Sequence, residues 1–316
     1  MHDIDESIID NWYSDTFAED FIPSAGDGVI RYSAKQGQAG RGSIVIVPGR
    51  TEFIEKYIEL CWDLRNLDYA ICVYDHLGQG KSDRQLEDRE KGHITDFSIY
   101  VSDLIKIIES VALPVQSGPV YLLAHSMGAT ISGLASQSRA DVISGLILVS
   151  PMFQINTGTH LPPFLAEQLC NFVCFAGGGG GYVWGGGGYN QDTDFAENLL
   201  TTDFKRFQRT NKLIIENPEV ALGSPTFGWL QQAYRAMRKV RRQAAASVCP
   251  TIIFRSINER VVGLREMEEY CNEAGNCQLV SYGNCRHELL MERNEIRGDV
   301  ITRVGEFLAE MTAVSN

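Results

Sequence analysis

Three side chains in this chain have the types needed for acyl transfer if the fold brings them together: Ser126, Glu259 and His287. A serine hydroxyl is a weak nucleophile at neutral pH. It attacks an acyl carbon only when a base takes its proton and N–H donors receive the oxyanion. Ser126 lies in Ala124-His125-Ser126-Met127-Gly128, after the apolar run Val120–Leu123 and before the small-residue stretch Ala129–Ala135. A short apolar run bounded by Gly118-Pro119 reads as a buried strand, and Ile131, Leu134 and Ala135 fall at helical spacing. Strand, tight turn with serine at its tip, then helix is the layout of a nucleophile elbow. The turn leaves little room two positions to either side of the serine, so small residues belong there. Gly128 meets that need, and Ala124 replaces the glycine of the usual G-x-S-x-G pattern at the cost of one methyl. The plain alternative is a strand-to-helix turn capped by a serine.

The base comes from six histidines. His2 and His160 have no strand end beside them, and His93 sits in a polar loop. His76 follows a strand but precedes the nucleophile, and His125 is inside the elbow itself. His287 remains, in Gly283-Asn284-Cys285-Arg286-His287-Glu288 after the last strand; its bland alternative is a surface histidine between two charges. Glu259 follows the strand Thr251–Phe254 and would accept a hydrogen bond from His287, fixing its tautomer and stabilising the imidazolium. Asn258 cannot supply that charge, and no aspartate separates Glu259 from His287. Serine, acid, histidine is the chain order of one hydrolase fold and differs from other serine-protease orders. The backbone N–H groups of Met127 and Arg50, the latter in Pro48-Gly49-Arg50, are the expected oxyanion donors.

The elements that must position these residues alternate along the chain. Strands are expected at Val29–Ser33, Ile44–Val47, Tyr69–Tyr74, the elbow strand, Val142–Val149, Thr251–Phe254 and Gln278–Tyr282. Helical faces fall at Ile54–Leu64, Phe97–Ile108, Phe227–Ala245 and about 296–311. The alternation implies an α/β fold with a mostly parallel sheet and helices on both faces. It breaks at residues 152–226, which hold two prolines, the runs Gly177–Gly181 and Gly185–Gly188, and an apolar helix from Phe164 to Phe175. The expected organisation is a core in two parts, 1–151 and 227–316, with 152–226 as an inserted helical cap over the site; a peripheral helical subdomain on a glycine hinge is the alternative. Gly78-x-Gly80 lacks the third glycine of a dinucleotide fingerprint, so a turn is the better reading.

Composition narrows the classes. The 316 residues carry 28 basic and 40 acidic side chains, a net charge of −12, which argues against nucleic acid and against a general attraction to anionic membranes. No apolar stretch reaches spanning length, and Met1–Ser7 lacks a basic region ahead of an apolar one, so a cytoplasmic protein is expected. The eight cysteines are read as reduced structural thiols. The basic cluster Arg238–Arg242 reads as a solvated helix end.

The motifs recur in an order that resembles a known family. Pro48-Gly49-Arg50-Thr51-Glu52 with Lys56-Tyr57, Asp75–Ser82, the elbow, Gly223–Thr226 with Trp229, Glu259-Arg260-Val261-Val262 and His287–Glu292 are similar to the lysophospholipase and monoacylglycerol lipase branch of the α/β-hydrolases. The bacterial lysophospholipase subgroup is the nearer likeness. The resemblance implies hydrolysis of a single-acyl lipid ester, without metal or organic cofactor. It leaves weak peripheral membrane contact through Phe164–Phe175, at the inner membrane face, beside an ordinary cap core as explanations of that apolar helix. Two other readings stay open: a proline-releasing aminopeptidase on the same fold, and a non-catalytic binding protein with a relic triad.

Overall fold

A computed structural model describes residues 6–157 and 161–314 of the chain; His2 and His160, set aside above as bases, and the first residues of the N-terminal reading lie outside them. In chain order the main elements are α1 (Glu6–Thr16), β1 (Ala18–Pro23), β2 (Val29–Lys35), β3 (Ser43–Val47), α2 (Ile58–Leu64), β4 (Ala70–Tyr74) and α3 (Ser98–Ile107). A π-helical turn leads from α3 to the short α4 (Leu113–Val115), then β5 (Val120–His125), α5 (Met127–Ser138) and β6 (Gly145–Val149). After β6 come α6 (Pro163–Phe175), α7 (Phe204–Glu216) and α8 (Phe227–Arg242), before β7 (Thr251–Ser256), α9 (Leu264–Ala274), β8 (Cys277–Tyr282) and α10 (Asn294–Val314).

The eight strands form one sheet in the order β1-β2-β4-β3-β5-β6-β7-β8, parallel from β4 to β8 and antiparallel where β2 meets β1 and β4. Every residue of β3, β4, β5 and β6 is buried, which is why these strands read as unbroken apolar runs: helices cover both faces. The pleat sorts their side chains. Val45, Val47, Leu122, Ala124, Leu146 and Leu148 join one apolar layer with α3, α5 and α8. Ile44, Ile46, Tyr121, Leu123, Ile147 and Val149 join the other, against α2 and α10.

Sequence reading missed β1. Its residues are nearly all exposed and two of the six are acidic, so its side chains show no buried apolar alternation and the backbone ladder to β2 defines it. The N-terminal segment is a helix, α1, that sets Trp12 edge-on to Trp62 at 5.3 Å. The cysteine reading needs a correction: Cys271 and Cys277 are paired, with Cα atoms 5.1 Å apart. A left-handed Gly275 ends α9 and folds the chain straight back into β8, which brings the two thiols together.

Between β6 and β7 the described residues carry α6, α7 and α8. Ala166 and Cys170 turn α6 onto α8, leaving Phe164, Leu165, Phe172 and Phe175 exposed. The first glycine run is pinned to the start of α8, where Phe227 and Gly228 amides donate to the Gly181 and Gly179 carbonyls. The Arg238–Arg242 cluster falls in the last turns of α8, with Arg238 paired to Glu167 of α6.

Candidate active site

Ser126 stands between β5 and α5 with φ +50° and ψ −111°, a backbone state costly for any residue but glycine. The surroundings hold it there: its amide donates to the Val149 carbonyl at 2.9 Å, and its carbonyl accepts the Met152 amide at 3.0 Å. Gly128 is required because a Cβ there would lie 2.2 Å from the Val47 carbonyl oxygen. Ala124 is fully buried in the strand, and its single methyl is accommodated.

The loop after β8 delivers His287, whose carbonyl accepts the Ser150 hydroxyl at 2.6 Å. His287 Nε2 is 3.0 Å from Ser126 Oγ, and Nδ1 is 2.8 Å from Glu259 Oε2. With Nδ1–H donating to Glu259, Nε2 is left to accept the serine proton. The other Glu259 oxygen accepts the Val261 amide at 2.8 Å. Burial pushes the Glu259 pKa up, but the His287 hydrogen bond and charge, with the Val261 and Val262 amides, hold it below the usual carboxylate value. Three residues drawn from three sheet-end loops thus form one hydrogen-bonded chain.

Met127 opens α5, so its amide is a first-turn donor with no acceptor inside the helix. Arg50 follows β3 in a turn whose next residue, Thr51, has φ +63° and gives its amide to Gln79 Oε1 at 2.8 Å. The Arg50 guanidinium donates to the Gly223 carbonyl and lies 5.4 Å from the Trp229 ring centroid, without a carboxylate partner among the described residues. Burial draws its pKa down to about 10.

A buried network beneath these residues escaped the sequence reading. Glu52 Oε2 accepts from the Gly49 amide, the Tyr57 hydroxyl and His125 Nδ1, the last at 2.9 Å. Lys56 Nζ bridges Glu52 Oε1 at 2.8 Å and Glu288 Oε1 at 2.7 Å, tying the loop after β3 to the loop after β8. His125 lies against His287, ring centroids 4.9 Å apart. Burial works against its charged form, yet Glu52 raises its pKa above the ordinary value. Glu52 is itself held well below the carboxylate range: burial opposes this, and His125 and Lys56 outweigh it. Glu52 and Lys56 sit four residues apart, a visible helical pairing signal; their contact with Glu288 has no local signature.

The discarded histidines have structural duties. His76 Nε2 bonds the Pro48 carbonyl at 2.8 Å, and burial lowers its pKa to about 4. His93 Nδ1 pairs with Thr226 Oγ1 at 2.8 Å. The Gly78-x-Gly80 loop closes on Asp75, whose carboxylate accepts the Ile54 and Lys81 amides, both at 2.9 Å. A cavity of about 320 Å³ is lined by Thr51 and Lys56 after β3, by Glu288 after β8, and by Leu200, Phe207 and Ile214 of segment 189–214. No helix among the described residues is long and apolar enough to cross a membrane.

Residues 38–294 match the family model described as serine aminopeptidase, S33. Lysophospholipase L2 of Escherichia coli strain K12 is 31% identical over 309 residues, covering 95% of this chain and 89% of its own. Monoglyceride lipase of Rattus norvegicus is 36% identical over 131 residues, 41% of this chain and 42% of its own. Among solved structures, a soluble variant of monoglyceride lipase from Saccharomyces cerevisiae superposes with a TM-score of 0.74 at 16% identity, over 94% of this chain and 96% of that one. Monoacylglycerol lipase of Paleococcus ferrophilus gives a TM-score of 0.68 at 19% identity, over 89% and 99%.

Proposed function

The chain belongs to the serine aminopeptidase S33 family of α/β-hydrolases and is a lipid-ester hydrolase, and on that footing we propose that it cleaves single-acyl lipids, lysophospholipid or monoacylglycerol, through Ser126, His287 and Glu259. The observation that carries this reading is the continuous Ser126–His287–Glu259 hydrogen-bonded chain at the end of the parallel sheet. Ser126 attacks the ester carbonyl while His287 Nε2 takes its proton. Glu259 holds the ring and offsets the imidazolium charge, and the Met127 and Arg50 amides receive the oxyanion. His287 then returns the proton to the departing alcohol, leaving an acyl-enzyme, and water repeats the sequence. Residues 152–226 serve as the cap over the acyl chain. The outward Phe164, Leu165, Phe172 and Phe175 of α6 support a weak contact with a lipid surface.

The test is fluorophosphonate labelling of wild type and Ser126→Ala, with the adduct located by peptide mass spectrometry, followed by a substrate panel. Labelling at Ser126 alone, with turnover of lysophospholipid or monoacylglycerol, is the expected result. The panel includes an aminoacyl anilide, because the family model carries a peptidase description. Preference for the anilide, or a well-folded protein that takes no label, defeats the reading.

A further inference from the structure

The loops that carry Glu259 and His287 also line a second cavity, of about 590 Å³, whose lining includes none of the residues used in the reaction above. Its wall holds three arginines: Arg260 beside Glu259, Arg286 beside His287, and Arg293 just before α10. None of the three forms an ion pair with a described residue, whereas Arg31, Arg206 and Arg297 elsewhere are each neutralised by carboxylates. Arg286 is held in place: its Nη1 donates to the Asn198 carbonyl at 2.6 Å and the Thr201 carbonyl at 3.2 Å, and it lies over the Phe195 ring. Arg293 Nη2 donates to the Asn284 carbonyl at 2.9 Å. Asn258 and Asn284 add amide side chains to the lining, and Glu197, exposed, is its one carboxylate. Behind the wall, Glu292 is occupied by the Arg286 and Thr202 amides at 2.8 Å each and by the Thr202 hydroxyl.

Three guanidinium groups gathered around one space repel each other unless an anion joins them, and this happens in a chain whose net charge is −12. Their planar N–H forks match the several acceptor oxygens of a tetrahedral oxyanion. We propose that this cavity binds a phosphate group, carried by a lipid head group or present as free phosphate. The bound group bridges loop 258–260, loop 284–286 and segment 196–202, and so fastens the insertion to the two loops that bear the acid and the base.

Calorimetric titration of the intact protein with inorganic phosphate, near neutral pH and at low ionic strength, tests the site. Wild type is expected to take up phosphate saturably, and the Arg260→Gln/Arg293→Gln double variant to bind it about tenfold more weakly or worse. Arg260→Gln alone, at an exposed side chain with no hydrogen bond to a described residue, keeps the test valid if the double variant melts early. Turnover of lysophosphatidylglycerol and of monoacylglycerol with the same acyl chain separates the two sources. A loss confined to the phosphorylated substrate, with competition by phosphate, assigns the head group. An equal response of both substrates to added phosphate, abolished in the variant, assigns the free ion. This last comparison rests on the ester reading, while the calorimetry does not. Uptake through these arginines by a protein that hydrolyses neither lipid sinks the ester reading alone. No uptake by wild type, uptake unchanged in the variants, or an effect reproduced by chloride at matched ionic strength overturns the site.

Discussion

Replacing Glu259 by glutamine keeps the side chain's size and one oxygen for the Val261 amide, but removes the charge facing His287. That charge lies 2.8 Å from Nδ1 in a nearly buried setting. At an effective dielectric of about 20, attraction between an imidazolium and a carboxylate at this separation is on the order of 6 kcal/mol. About 1.4 kcal/mol corresponds to tenfold in rate, so the ceiling is a loss of roughly 10⁴-fold in kcat/KM. The substituted amide acts in the same direction: its NH₂ facing Nδ1 favours the tautomer whose Nε2 already carries a proton and cannot accept one from Ser126. A loss of about 10³- to 10⁴-fold is therefore expected, in kcat more than in KM, because the interaction strengthens only as positive charge develops. The assay is hydrolysis of a fluorogenic fatty ester, with the rate of fluorophosphonate labelling measured in parallel and a thermal melt to show that the fold survives. Both rates should fall together. A well-folded Glu259→Gln enzyme within tenfold of wild type on the ester would refute the argument that this carboxylate holds the base.

Ser126→Gly should abolish turnover and melt about 2 °C or more above Ser126→Ala, because glycine adopts φ +50° without the penalty of a side chain; equal melting would mean the elbow stores no strain. Gly128→Ala should cost several kcal/mol or yield insoluble protein, given the 2.2 Å approach to the Val47 carbonyl, whereas Ala124→Gly should cost about 1 kcal/mol; comparable denaturant midpoints would contradict the packing described. Lys56→Met removes the ammonium from buried Glu288 and leaves buried Glu52 with His125 alone, and should destabilise by about 3–5 kcal/mol in urea unfolding. The same variant carries a pH signature. Glu52 has a folded pKa below its unfolded one, so its contribution is present above the unfolded value and is lost as pH falls through the folded value. Without Lys56 the folded value rises, and acid unfolding should begin at higher pH; an unmoved acid midpoint would argue against the pairing.

The parts legible in the sequence were those with local signatures. Unbroken β-branched runs marked β3 and β4, the elbow marked Ser126, and chain order selected His287 and Glu259, which the fold brings within 3.0 Å of one another in sequence of contact. The order of α9 was legible but unread: Met267, Tyr270, Cys271 and Ala274 have helical spacing and are its buried face. By contrast β1 is held by its ladder, not by apolar alternation, and no pattern in its side chains could have revealed it. The Lys56–Glu288 contact joins residues far apart in the chain, and its existence depends on how two loops meet above the sheet. The same is true of α6, whose apolar residues announced a helix but not that four of them would face outward.

The insertion between β6 and β7 also shapes how the molecule reaches its native state. Leu146–Val149 pairs in parallel with Thr251–Phe254, so about a hundred residues must be spanned before this ladder can close. Closing a flexible loop of that length costs entropy that grows only with its logarithm, about 0.6 kcal/mol for each doubling, so the equilibrium penalty is modest. The kinetic one is larger, since long-range parallel pairing is slow and leaves strand edges bare while it waits. β6 ends in Ser150, whose hydroxyl holds the carbonyl of His287, and β7 leads directly to Glu259. Glu259 and His287 are therefore expected to come together only once the long-range β6–β7 ladder has formed, an order that pulsed hydrogen exchange during refolding would check.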